Sequence, residues 1–321
     1  MRTFVKPRAV FSKCLGFAAC RYDGAIVADE FASRLRAHVA AAPVCPEMEI
    51  GLGCPRDPIR VVRRGGRVRL VQPATGRDVS GEMVAFASRF LASLGEVDGF
   101  LLKARSPSCG ITDVKVYGGP GAEAPLGAGS GFFGGAVLRR FTDLPVEDEG
   151  RLNNIALREH FLTRLFAMAS LRGVGRRGGM RDLAAFHAAN EWLLAAYSRS
   201  RMRELGRLAA CAGRRPSANL SAAYRRGFAR ALARPPRTTS IINVLMHALR
   251  YVSAGLKAGE KAFFLDLLEK YRAGKAPLSA ALTLVRSWGV RFEVACLMQQ
   301  TFLEPYPEAL AETFAFRAPA R

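Results

Sequence analysis

Residues 99–110 read G-F-L-L-K-A-R-S-P-S-C-G. The stretch Gly99–Leu102 is short and apolar, which fits a strand buried on both faces of a sheet. It runs through Lys103 and Arg105 into a Ser-Pro-Ser turn that ends on Cys109 and Gly110. Open α/β sheets place their ligands at that end of the strands. The same order recurs upstream. V-F-S-K-C-L (10–15) reads as a strand that delivers Cys14, and P-V-C-P-E (43–47) carries Cys45 between two prolines. Three thiolates converging at one sheet edge could hold a metal or cluster and leave one coordination position empty. An empty position separates a catalytic centre from a structural one.

Outward from these segments, residues 1–145 alternate short β-rich runs with helical stretches. E-M-E-I-G-L (47–52), I-R-V-V (59–62) and V-R-L-V (68–71) also read as strands. Glu30–Ala41 and Ser80–Leu94 read as helices. In the second, Ser80 stands as N-cap, Val84, Phe90, Leu91 and Leu94 form an apolar face, and Gly95 stands as the stop. The pattern predicts an α/β domain over residues 1–150, with a mostly parallel sheet flanked by helices. The acidic, proline-bearing stretch D-L-P-V-E-D-E-G (143–150) marks its end. Past Arg151 the strand signals stop. Residues 151–172, 180–211, 218–234, 238–256, 259–273 and 278–298 carry helical periodicity, so an all-α domain is expected over 151–321.

The charge is lopsided. Residues 1–150 carry 20 Lys+Arg against 16 Asp+Glu, whereas 151–321 carry 28 against 11. Nearly all of the net charge of +21 therefore lies in the second half, which suggests an anionic partner such as RNA, tRNA or a nucleotide. Arginine-decorated, solvated helix faces account for the same numbers. Half the residues are apolar and mean hydropathy is +0.06, yet no uninterrupted apolar run reaches the ~18 residues of a membrane span. M-R-T-F-V-K-P-R lacks the apolar region of a signal peptide, so a cytoplasmic protein is expected. There, seven cysteines read as thiols or ligands rather than disulfides.

Cys14, Cys45 and Cys109 contain no C-x-x-C pair, which excludes a zinc ribbon and leaves two readings, ligands or small buried residues. Glu47 follows Cys45 by two positions. Ser106 and Ser108 stand beside Cys109, whose basic neighbours favour ligand or nucleophile roles. Packing is the expected role of Cys20, and of Cys211 and Cys296 on helices of the second domain; Cys54 reads as a spare thiol. Asp23 in R-Y-D-G is a substrate-side acceptor or a turn former. The run P-L-G-A-G-S-G-F-F-G-G (125–135) enters a helix near Gly131. It reads as a loop over a ligand, with Gly129 and Gly131 on the substrate side.

Taken together, C-L-G…R-Y-D-G, P-V-C-P-E…G-L…P-R-x-P-I, G-R-D-V-S, L-K-A-R-S-P-S-C-G and G-x-G-x-F, in this order from about Val10 to Ala136, resemble the thiouracil desulfidase family. From residue 155 onward, L-R-E-H-F-L-T-R-L-F-A, R-P-P-R…N-V-L-M-H, L-L-E-K-Y-R-x-G-K-A-P-L and Q-x-x-L-E-P-Y-P look like a YbgA-like domain of unestablished activity. The first resemblance implies a [4Fe-4S] cluster on Cys14, Cys45 and Cys109, with the fourth iron free to take sulfur from a thiocarbonyl. It also implies Glu47 and Ser106 as the acid/base pair. The expected activity is non-redox desulfidation of a thiolated pyrimidine, C=S to C=O with release of sulfide. The alternative from another class is a nucleic-acid-binding or redox-sensing protein with a structural cluster.

Overall fold

The computed structural model describes residues 2–177, 179–210 and 218–311. In chain order the first elements are β1 (Arg8–Ser12), α1 (Glu30–His38), β2 (Ala40–Val44), α2 (Pro46–Glu49), β3 (Arg60–Arg64), β4 (Arg67–Gln72) and β5 (Arg77–Asp78). They continue with α3 (Ser80–Ser93), β6 (Gly99–Leu102), β7 (Val114–Tyr117), β8 (Pro125–Gly129), α4 (Phe132–Arg140) and β9 (Val146–Asp148). Helices follow: α5 (Ile155–Arg177), α6 (Met180–Tyr197), α7 (Arg199–Ala209), α8 (Ala218–Ala231), α9 (Thr238–Val252), α10 (Ala258–Arg272), α11 (Leu278–Arg291) and α12 (Ala295–Met298). Two compact units result. A sheet unit is built on Phe4–Ala169, and a helical unit on Ser170–Tyr306.

In the sheet unit, one four-stranded sheet runs β2-β1-β6-β9, parallel throughout, with Ala9 opposite both Ala41 and Gly99. Val10, Phe11 and Phe100–Leu102 are completely buried, as a sheet covered on both faces requires. The chain leaves β1 toward β2 on one side and later returns to β6 on the other. Strand order therefore reverses at β1, and a crevice opens outside the carboxyl ends there. The second sheet, β5-β4-β3-β7-β8, is mixed. Gly65 and Gly66, both at positive φ, close the β3–β4 hairpin in the two-residue turn that suits strand twist.

Several expectations are corrected. E-M-E-I-G-L is not a strand. Pro46 opens the short helix α2, and the strand beside β1 is Ala40–Val44, whose alanines carry little β signal. Ser80 does not cap α3. Its hydroxyl accepts from Leu70 N at 2.7 Å, and its own N–H goes to Asp78. The buried face of α3 is Met83, Phe86, Ala87 and Leu91, while Val84 is exposed. β8 and β9 carry too few β-formers to be read beforehand; β7, V-K-V-Y, carries three but is only four residues long. In the helical unit, 180–211 breaks at Ser198, whose side chain accepts from Arg201 N to cap α7. Residue 211 lies outside the described residues. α5 runs on past Gly173 and Gly175, because Leu171 and Val174 are buried on one face and outweigh glycine's cost of about 1 kcal/mol each.

The helical unit's core gathers Phe186, Tyr224 and Phe228, with Phe186 and Phe228 ring centroids 5.1 Å apart. Gly227 admits Leu205 so closely that a Cβ there would lie 2.8 Å from it, which lets α7 and α8 pack tightly.

Candidate active site

Cys45 directly follows β2, Cys14 follows β1 by two residues, and Cys109 lies in the loop after β6. These three strands are neighbours and parallel, so their carboxyl ends bring the thiols to one place. They line a cavity of about 340 Å³ together with Cys20, Glu47, Arg56, Lys103, Ser106 and Ser108. Cys14, Cys20 and Cys45 pack as one buried cluster.

The Cys109 loop is rigidly made. Ser106 Oγ accepts from the N–H groups of Ser108 and Cys109, and Gly110 N–H donates back to the Ser106 carbonyl at 2.8 Å. Behind it, the first N–H groups of α4 find acceptors in the loop: Gly131 N donates to Gly110 O, Phe132 N to Pro107 O, and Phe133 and Gly134 N to Ser108 O. A Cβ at Gly131 would lie 2.5 Å from the Ser108 oxygen, and one at Gly134 2.4 Å from that of Cys109. The glycine run thus lets a helix N-terminus hold the cysteine loop from behind. Gly129 and Gly131, expected on the substrate side, are not among the residues lining the cavity.

A polar chain crosses the cavity wall. Arg56 donates to Glu47 Oε2 through Nε (2.9 Å) and Nη2 (2.6 Å), and Ser108 Oγ donates to Glu47 Oε1 at 2.6 Å. Ser108 in turn meets Ser106 at 2.9 Å and lies 3.8 Å from Cys109 Sγ. Glu47 is 9 % exposed and Ser108 1 %. On another wall, Lys103 pairs with Glu149, which also accepts Ala104 N–H at 2.8 Å. Burial, then the proximity of Cys45, pushes the Cys14 thiol up to about 12. Cys20 rises to about 12 for the same reasons, and burial raises Cys109 further still.

The structure brings Cys14, Cys45, Cys109, Glu47, Ser106 and Ser108 together. Asp23 is outside the cavity lining; its carboxylate accepts Ala25 N–H at 3.0 Å and pairs with Arg21, a turn-forming role. Glu49 is exposed. Cys296 is exposed on α12 rather than packed in a core. Cys20 enters the cavity, where packing alone was expected. Arg56 was missed as a site residue; the signal was its place in P-R-x-P-I, four residues after G-L. Among the described residues, no three His, Cys, Asp or Glu side chains are placed to share a single metal ion.

Comparison with known proteins bears on this cavity. Residues 9–149 match the family model for 2-thiouracil desulfurase. The Uncharacterized protein YbbK of Bacillus subtilis (strain 168) is 32% identical over 151 residues, covering 45% of this chain and 97% of the relative. The chain belongs to the 2-thiouracil desulfurase family. A solved structure, the [4Fe-4S]-dependent thiouracil desulfidase TudS, shares 31% identity over 48% of this chain and 98% of its own, with a TM-score of 0.38. Residues 192–307 match a second family, a protein of unknown function (DUF1722). The Uncharacterized protein YbgA of Escherichia coli (strain K12) is 26% identical over 151 residues, 46% of this chain and 89% of its own length. The desulfurase match thus ends on Glu149, the carboxylate that holds Lys103.

Proposed function

We propose that the sheet unit, as a desulfurase domain on residues 1–150, converts a thiolated pyrimidine to its oxo form with release of sulfide. Three neighbouring thiols and a buried carboxylate–serine chain in one cavity carry this reading. The donor set fits an iron–sulfur cluster. A single tetrahedral ion needs its sulfurs within about 4 Å of one another, given metal–sulfur bonds near 2.3 Å. In a cluster each thiolate binds a different iron, so three separate loops suit it. Burial, and then the neighbouring thiols, raises Cys14 and Cys109, and bound cations would relieve both. Cys14, Cys45 and Cys109 would hold the cluster, which when bound supplies a Lewis acid with affinity for soft sulfur at its open position.

The chain's own residues supply the rest. The ring carbon gains a bond to water oxygen and loses its bond to sulfur, so no electrons are consumed. Glu47, within reach of the cavity, takes a proton from the incoming water and returns one as sulfide leaves. Ser106, whose hydroxyl accepts from two N–H groups, has one hydrogen left; it rests on Ser108 and turns to water or sulfur when substrate enters. Anaerobically reconstituted protein should release sulfide and form uracil from 2-thiouracil. Cys109→Ala should abolish this together with iron binding. Glu47→Gln should lower kcat by about 10²–10⁴-fold with iron retained. Wild-type protein that holds four irons and releases nothing from free or nucleotide-bound thiopyrimidines sinks the reading.

A second reading concerns the proposed C-terminal domain, residues 151–321. Arg199, Arg203 and Arg207 recur every fourth residue on α7 and are exposed, as are Arg226 and Arg230 on α8. We propose that these faces meet the phosphates of an RNA. Affinity for a short single-stranded RNA should then fall steeply with salt, and Arg→Gln changes at Arg203 and Arg226 should flatten the slope. Salt-independent or absent binding removes this reading.

A further inference from the structure

We propose that Arg56 is a positioning residue of the thiol cavity: its guanidinium sets the direction in which the Glu47 carboxylate faces the serines. The inference rests on the desulfidation reading above. The Arg56 guanidinium makes four hydrogen bonds to oxygen. Two go to Glu47 Oε2, and Nη1 donates to the carbonyls of Cys20 (3.1 Å) and Gly53 (2.7 Å). Its backbone N–H donates to Tyr22 O at 2.8 Å, and its side chain is 4 % exposed. The guanidinium therefore bridges the segment after Cys14, the helix after Cys45 and the turn at Gly53.

A planar guanidinium held at both ends cannot swivel without losing bonds. With Oε2 clamped, Oε1 is the oxygen left for Ser108, and the 2.6 Å contact shows where it points. Ser108 must then direct its hydrogen to Glu47, which leaves its lone pairs to Ser106, 2.9 Å away. The orientation of both hydroxyls is thus inherited from Arg56, one residue removed from any group that would touch substrate. A lysine, a point charge on a flexible stem, could neutralise Glu47 but not fix its plane.

Arg56→Gln, Arg56→Lys and Arg56→Ala would be reconstituted anaerobically beside wild type. Iron and acid-labile sulfide per chain should match wild type in all three. kcat should fall about 10–100-fold with KM within about twofold, because misaligned groups cost turnover rather than binding. Methylguanidinium should restore part of the kcat of Arg56→Ala and none of that of Glu47→Gln. In a crystal structure of Arg56→Gln, Glu47 should rotate and its contact with Ser108 should be lost. Wild-type kcat in Arg56→Gln overturns the proposal. So does failure of Arg56→Lys to retain iron, which would make the residue a scaffold for the cysteine loops. An unchanged Glu47–Ser108 contact in the Arg56→Gln crystal overturns it as well. If wild type with a full cluster releases no sulfide, the desulfidation reading fails, while that crystal structure still decides the positioning of Glu47.

Discussion

The cavity of the sheet unit and the α7–α8 arginine face of the helical unit treat charge in opposite ways. At the cavity, cations turn inward: Arg56 is buried against Glu47, and Lys103 pairs with Glu149, whereas Arg63, Arg64, Arg67 and Arg69 of the same unit are exposed. In the helical unit, Arg199, Arg203 and Arg207 of α7 and Arg226 and Arg230 of α8 are exposed, and the core beneath is closed by Phe186, Phe228 and Leu205. A buried ion pair is weak evidence of stability, since desolvation offsets most of the attraction. Its presence at the carboxyl ends of parallel strands is in keeping with the chemistry proposed there. An outward arginine costs little and marks nothing by itself.

Cysteine tests that contrast most severely. Cys14→Ser should remove iron and all sulfide release, whereas Cys296→Ser, exposed on α12, should alter neither; iron assay and turnover read both. If Cys296→Ser also loses iron, the division of roles between the units is wrong. Glycine gives a smaller effect with opposite signs. Gly131→Ala drives a methyl to 2.5 Å from a backbone oxygen and should destabilise by about 2–3 kcal/mol while loosening the Cys109 loop. Gly175→Ala, in a helix with nothing near the new methyl, should stabilise by about 0.5–1 kcal/mol. Urea midpoints for the two variants decide this, and a shared sign contradicts it.

The smallest effect is titration in the helical unit. Burial holds His187 below the ordinary histidine value of 6.5, with Glu191 pulling weakly the other way. The unfolded chain thus takes up its proton at a higher pH than the folded one. Stability should be full above about 6.5 and decline as pH falls toward the depressed folded value. Comparing urea midpoints at pH 7.5 and 5.5 for wild type and His187→Gln tests this; an equal decline in both assigns the slope elsewhere.

Much of this was legible in the residues. Gly99–Leu102 and Ala9–Phe11 are apolar on both faces, as strands of a covered parallel sheet are. The P-V-C-P-E and S-P-S-C-G turns announced the thiols because proline and glycine punctuate chains visibly. Less visible was β2, where alanines make a strand only because β1 supplies the hydrogen bonds. The role of the glycine run was also hidden. Glycine signals freedom or closeness, and only the fold reveals that the close neighbour is the Cys109 loop.

By itself, the sequence determined the class of each half and the helical periodicity after residue 155, which follow from local propensity and periodicity. It offered Cys14, Cys45 and Cys109 as candidates through their turns, and Glu47 and Ser106 as an acid/base pair only through the family resemblance. Tertiary structure alone decided that Cys20 joins Cys14 and Cys45, that Arg56 reaches back to Glu47, and that Ser108 stands between Glu47 and Ser106. These contacts bridge up to about sixty residues of chain. No local preference encodes such a distance; the register of parallel strands and the reversal of their order at β1 set it.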